Sequence, residues 1–393
     1  MCRKKLSIEK EIIIILIQLI CCCKASNNNE TSNTELNSTH LQTKVKNDDE
    51  HLKFFETLRE ITGIYLFPLI GIFGIIGNIF IVIVYSRSQK YSTNVYLIAL
   101  SCSDIFKLAN DLTYFLVTFV TKFNPVLGEK MFFILYKYSH YLFVVTSFNT
   151  SWLTCAISLD RYFAVVRHNA KKIKSNYLQS FLISIIISFV SIVAAIPAPL
   201  FNETIKHYDP LTNQTIEKIS LTNLGKSDFK KYYQFLSGVF RAVLPLLILI
   251  ILNVKIVKQL FKTKMQNVNK QRNRRVTMML VTIVITFVIC IFPDAIMTMM
   301  QLGYADENSL IRGIREITDV LLEINSASTF PICFHFSLQF RSTFKSLFPY
   351  FFTFEADEII ENQDYQSKRL RASRKSRKNF DGSNENIKLV EIK

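Results

Sequence analysis

Ser158-Leu159-Asp160-Arg161-Tyr162 closes an apolar stretch that runs from Met131 to Val166. An arginine between an acid and a tyrosine, at the edge of so long an apolar run, is costly to place in hydrocarbon. It must snorkel to water, pair with an acid or face a cavity. Asp160, Arg161 and Tyr162 are therefore functional candidates, provided that the chain around them is a bundle of membrane helices.

Working outward, the 393-residue chain is 49% hydrophobic and contains six more runs of spanning length. The seven runs cover about 61–85, 94–120, 131–166, 177–200, 233–257, 276–301 and 311–335. Each approaches or exceeds the roughly 20 residues that a tilted membrane helix needs. The last is the weakest, since Arg312, Arg315, Glu316, Asp319 and Glu323 interrupt it. The expected fold is an all-α membrane protein, a seven-transmembrane helix bundle over 61–335.

Residues 1–23 read differently. Arg3-Lys4-Lys5 precede Ile12 to Ile20, then small residues follow at Cys21–Cys23, Ala25 and Ser26, the pattern of a signal peptide. The polar segment 24–60 is expected to be an extracellular tail. It holds Glu30, Glu35, Asp48, Asp49, Glu50, Glu56 and Glu60 against five basic residues.

Placement explains the net charge of +16 without nucleic acid. Arg167, Lys171, Lys172 and Lys174 fall in one inter-span loop, and Lys258, Lys262, Lys264, Lys270, Arg272, Arg274 and Arg275 in another that has no acid. This positive-inside pattern puts the N-terminus outside and the C-terminus in the cytoplasm of a multi-pass plasma-membrane protein. Basic loops beside a bilayer also attract anionic lipid. The sequons at Asn29, Asn37, Asn202 and Asn213 all fall on the face assigned to the outside, as glycosylation requires. No Cys lies between Cys155 and Cys290, so the loop 201–232 has no disulfide of its own.

After the bundle, 336–393 is expected to be cytoplasmic. Phe340, Phe344 and Leu347 at helical spacing suggest a short eighth helix lying on the inner leaflet, before a disordered basic tail. Ser373 and Ser376 among basic residues are either kinase sites or part of a solvated tail.

Residues that stand out within the spans define three groups. Asn78, Asp104, Asn325 and Ser326 form a polar core that either joins helices or binds a small cation such as sodium. Glu316, Asp319 and Glu323 recur at spacings of three and four, on one helical face. With Asp294 they would make an acidic wall suited to a ligand cation, and Tyr114, Phe143, Phe115, Tyr141 and Phe148 offer aromatic contacts. Internal pairing competes, because Arg241 is available to Asp294 and Lys107 to Asp111. Finally, Pro245 and Pro293 mark hinges whose inner ends are joined by the basic loop. The six His do not cluster, and no catalytic or phosphate-binding motif is present. An enzyme is disfavoured, and neither a cofactor nor a metal centre is expected.

The chain resembles a rhodopsin-class G-protein-coupled receptor. The resemblance rests on Gly77-Asn78, Leu100-Ser101-x-x-Asp104, Ser158 to Tyr162, Pro245, Phe287 with Cys290-x-x-Pro293, Asn325-Ser326 and Phe340-Arg341. Ser92 to Leu97, Trp152-Leu153-Thr154 and Phe330 are similar to the FMRFamide-type neuropeptide receptors of invertebrates. Such a likeness implies an amidated peptide ligand, heterotrimeric G proteins as partners, and arrestin and kinases at the tail. It assigns the switch to Asp160, Arg161, Tyr162, Pro245, Phe287 and Pro293, and the acidic wall with its aromatic neighbours adds ligand contact at Tyr114, Phe143, Asp294, Asp319 and Glu323 as a hypothesis. A transporter or channel, or a non-signalling scaffold of the same fold, are the alternatives.

The sequence also departs from that family. Tyr136 stands at the usual helix-three Cys, Ile291 at the usual Trp, and Thr329, Phe330 and Cys333 in the helix-seven motif. Asn273 stands where many relatives have an acid to pair with Arg161, and Phe143 replaces the aspartate of aminergic receptors.

Overall fold

The computed structural model describes residues 50–88, 91–165, 176–209, 214–262, 268–300 and 309–349. The signal-peptide segment, Asn29, Asn37, Asn213 and the tail beyond 349 lie outside the described residues. So does the side chain of Asn273. Two compact units divide the chain, Met1–Phe55 and Glu56–Lys393, and the second holds everything discussed below.

Seven long helices build that unit. A π-helical stretch Ile61–Leu66 leads into α1, Phe67–Arg87. Then come α2 (Ser92–Phe123), α3 (Pro125–Val165) and α4 (Tyr177–Ala195). The α5 helix runs as Asp228–Gly238, a π-helical turn Val239–Val243 and Leu244–Lys262. It is followed by α6 (Val268–Met300) and α7 (Ser309–Phe336). A short α8, Leu338–Leu347, is capped by the Ser337 hydroxyl, which accepts from the Phe340 N–H at 3.1 Å. Five of these helices (α1, α3, α4, α5 and α6) are long and apolar enough to cross a membrane by length and composition. The other two, α2 and α7, carry the buried charges Asp104, Lys107 and Glu323.

The described residues are mostly helical, as expected, and one ribbon is added to the bundle: Asn202–Asp209 (β1) and Gln214–Leu221 (β2) pair antiparallel, with Asn202 opposite Leu221 and Asp209 opposite Gln214. Alternation such as Thr204-Ile205 and Ile219-Ser220 is a weak strand signal beside seven hydrophobic runs, and a two-stranded ribbon needs support from elsewhere. Here Phe201, at the end of a 3₁₀ turn Ala198–Phe201, packs against Tyr233 and Phe229. Thr222 closes the ribbon by donating its N–H to the Phe201 carbonyl (3.1 Å) and its hydroxyl to that of Leu200 (2.8 Å).

The expected short helix α8 turns its apolar stripe to the bundle: Phe340 is fully buried, Phe344 is 6% exposed, and both pack against it. Phe80 and Tyr85 of α1 and Phe330 of α7 form the receiving surface. Leu347 and Leu338 remain exposed. An amphipathic helix beside a bundle buries its aromatic face against whatever apolar surface is nearest, and the end of α1 supplies one.

Close helix approach explains another oddity. A Cβ on Gly77 of α1 would stand 2.7 Å from the Phe330 Cβ of α7, so only glycine lets these two helices meet. The large ring at Phe330 is accommodated by the missing side chain opposite.

Candidate functional site

At the end of the bundle that carries the hairpin, a cavity of ≈ 540 Å³ opens between α2, α3, α5, α6 and α7. Lys107, Asp111 and Tyr114 line it from α2, and Tyr136, His140 and Phe143 from α3. Lys230, Tyr233 and Arg241 line it from α5, Asp294 and Met297 from α6, and Arg315, Glu316 and Asp319 from α7.

Most of these charges are committed to each other. Lys107 pairs with Asp111 at 2.5 Å, one turn along α2. Arg241 pairs with Asp294 at 3.4 Å and lies 5.3 Å from the centre of the Phe143 ring, a cation–π contact. Glu316 accepts hydroxyls from Tyr114 and Thr62, each at 3.0 Å. Asp319 is the exception: its carboxylate faces the cavity with no hydrogen-bond or ion-pair partner among the described residues. Glu323 does not line the cavity. It lies one turn deeper, fully buried, and both of its oxygens lack a hydrogen-bond partner among the described residues.

Of the other aromatic candidates, Tyr141 donates its hydroxyl to the Ile192 carbonyl of α4 (3.2 Å), and Phe148 is buried against Val144 and Ala198. Reading along the sequence did not single out Tyr136, His140, Tyr233 or Arg315 as cavity residues. Tyr136 and His140, four apart on α3, stack with ring centres 6.1 Å apart, and this i,i+4 aromatic spacing was the available signal.

Beneath the cavity lies the polar core. Asn78 donates its amide to the carbonyls of Gly74 and Ser326, both at 2.9 Å, tying α1 to α7. Thr150 donates to Asp104 at 3.4 Å, joining α3 to α2. Asn325 is half-buried, and its backbone carbonyl accepts from the Ser328 hydroxyl at 2.8 Å. The hydroxyl of Ser101 and the amide oxygen of Asn78 are buried with no partner among the described residues. Among those residues, no group of three His, Cys, Asp or Glu is placed to hold a metal ion.

At the opposite end, Asp160 and Arg161 form an ion pair that α2 clamps. The Arg161 Nε donates to Asp160 Oδ2 at 3.1 Å, and its terminal nitrogen reaches both Asp160 and the Thr93 hydroxyl. Ser92 (2.9 Å) and Thr93 (3.3 Å) donate to the same carboxylate. Tyr162 stacks beneath Lys255 of α5, whose ammonium lies 5.8 Å from the ring centre. Between the two ends, Phe287 is 1% exposed in a cluster with Leu249, Ile291 and Leu322. The carbonyl of buried Pro245 accepts from the Cys155 thiol at 3.8 Å, and Pro293 stands inside α6.

Comparison with known proteins agrees with this architecture. The sequence model described as 7 transmembrane receptor (rhodopsin family) matches residues 77–328. The C-C chemokine receptor type 3 of Cavia porcellus is 28% identical over 57% of this chain and 59% of its own length. The galanin receptor type 1 of Mus musculus is 26% identical over 72% of this chain and 80% of its own. The probable G-protein coupled receptor frpr-1 of Caenorhabditis elegans is 25% identical over 75% and 80%. The chain spans only about three fifths of the chemokine receptors' length, 59% for the one above and 60% for C-X-C type 2 of Mus musculus.

Proposed function

Because this chain belongs to the rhodopsin family of seven-transmembrane receptors, we propose that it is a plasma-membrane receptor for an extracellular neuropeptide, signalling through heterotrimeric G proteins. The hairpin end is then the extracellular face, and the end with Arg161 and the basic loops is cytoplasmic, in keeping with the positive-inside rule. Asn202, half-buried at the start of β1, is the described sequon on that outer face.

The observation that carries the ligand assignment is Asp319. In a cavity whose other acids are engaged, one unpaired carboxylate selects for a cationic group. An arginine-bearing peptide supplies that group, and an amidated FMRFamide-like peptide is the member of this class we favour. The peptide's guanidinium would meet Asp319, with Tyr114 and Phe143 beside it. Asp294 would act through Arg241, as a wall of the site.

Binding would be transmitted through Phe287 and the Pro245 and Pro293 hinges to the clamp at Asp160, Arg161 and Tyr162. There an outward swing of α6 opens a cleft for the G protein. Asp104, with Thr150, Asn78, Asn325 and Ser326, would tune that swing, and its oxygen-rich surroundings suit a small hard cation such as sodium.

A panel of amidated peptides applied to cells expressing the chain tests the ligand class, and nucleotide exchange on purified G protein tests the coupling. Agonism by Arg-Phe-amide peptides that falls at least tenfold in Asp319→Asn supports the reading. Normal surface expression with no response to any peptide refutes it.

A further inference from the structure

Glu323 is the least expected residue in the interior. A fully buried carboxylate normally finds a hydrogen bond, yet both of its oxygens lack one among the described residues. Room is kept for it on α1: a Cβ on Gly71 would stand 3.1 Å from Glu323 Oε1. Lys107 is the nearby base. It is 5% exposed and bound to Asp111 at 2.5 Å, and its charge is also felt by Asp319 and Glu323.

The vertical order matters. On α2, Asp111 lies one turn nearer the cavity mouth than Lys107. On α7, Asp319 lies one turn nearer the mouth than Glu323. Lys107 therefore sits between an upper pair of acids that face the cavity and a lower acid that is sealed from it. The upper partner is in use, and the lower one is not. Arg241 is committed to Asp294, and of the cavity's cations Lys107 is the one whose charge reaches Glu323.

We propose that Lys107 is a displaceable counter-ion: a cationic ligand group takes Asp111 and Asp319, and the Lys107 ammonium turns inward to Glu323. This rests on the reading of the cavity as a site for a cationic peptide group, and it adds the residues that make binding felt deeper in the bundle. A neutral ligand cannot perform the exchange, because it leaves Asp111 without a cation. A long, flexible lysine stem suits the role, since its ammonium moves by rotation alone. The exchange turns a contact at the cavity into a new bond between α2 and α7, one turn above Asp104.

The test uses the full chain in lipid nanodiscs, with N-acetyl-Arg-Phe-amide and its neutral N-acetyl-citrulline counterpart as probes. Affinity is read from the concentration dependence of the melting-temperature shift. Wild type should favour the arginine probe, and Glu323→Gln should weaken that probe about tenfold while leaving the citrulline probe unchanged. Lys107→Gln should tighten the arginine probe, because nothing then has to be displaced. In that background Glu323→Gln should have no further effect, so the double-mutant cycle is strongly non-additive. Gly71→Ala, which crowds the Glu323 carboxylate, should mimic Glu323→Gln and serves if that variant does not fold.

Equal weakening by Glu323→Gln with and without Lys107 overturns the exchange, as does no weakening in wild type. Arginine-selective binding with additive variants sinks the exchange alone. A wild-type chain that binds neither probe, or both alike, refutes the cationic-ligand reading and the exchange with it.

Discussion

Tyr85 on α1 donates its hydroxyl to the sulfur of Met279 on α6 across 3.9 Å, and both side chains are almost wholly buried. This contact sits where α6 must leave the bundle if its inner end swings outward. Tyr85→Phe keeps the ring against Phe340 but removes the bond. A weak bond to sulfur is worth about 0.5–1 kcal/mol, so basal nucleotide exchange should rise roughly two- to fivefold. Measurement of agonist-free exchange on purified G protein checks this, and an unchanged basal rate would show that Tyr85 only packs.

The clamp on Asp160 should act in the same direction. Ser92 and Thr93 donate to its carboxylate, and Thr93 also meets Arg161. Removing both hydroxyls with Ser92→Ala and Thr93→Val loosens Arg161 and should raise basal exchange further than either change alone. Each bond to a charged group is worth about 1.5–3 kcal/mol at most, less for one half open to water.

Arg241 and Asp294 are a nearly buried pair, with side-chain exposures of 12% and 13%. Asp294→Ala removes the acid paired with a largely desolvated guanidinium, at a cost of about 3 kcal/mol. The expected outcome is a clear fall in melting temperature and in surface expression. Arg241→Met combined with Asp294→Met should be far better tolerated than Asp294→Ala. A melting temperature unchanged in Asp294→Ala would show that cavity water already solvates Arg241.

The hairpin is held without a disulfide, by Phe201 packed among Phe229 and Tyr233 and by the Tyr233 hydroxyl on the Ala194 carbonyl at 3.0 Å. Phe201→Ala removes a core ring, a loss of about 3–5 kcal/mol where packing is tight. Amide exchange in Asn202–Asp209 and Gln214–Leu221 should then accelerate toward that of an open loop. Reducing agent, in contrast, should leave exchange in these strands as it is.

Several features were legible in the sequence because they depend on chain-local chemistry. Hydrocarbon demands length and apolarity, so seven runs predict seven helices, and α2 and α7 stand out for their charges. The Asp160-Arg161-Tyr162 triplet is informative for the same reason, since a charge at a membrane edge needs a local explanation. The ligand-site candidates Tyr114, Phe143, Asp294 and Asp319 do line one cavity, but Glu323 shares their helical face and is nonetheless sealed beneath it. Periodicity gives the azimuth of a side chain on its helix, and it does not say how far along the axis a cavity reaches.

What the sequence determined alone is therefore the seven long helices, the concentration of basic charge in two inter-span loops and which polar residues lie within apolar runs. The tertiary structure decided the partners. It gave Arg241 to Asp294, Lys107 to Asp111, Tyr85 to Met279 and, among the described residues, no hydrogen bond or ion pair to Asp319 or Glu323. It also turned the aromatic face of α8 into the bundle and folded the segment between α4 and α5 into a hairpin braced by Phe201. The physical reason is that burial and hydrogen bonding are pairwise terms between residues far apart in the chain. A sequence shows each charge, and only the packed helices show which of them has already been answered.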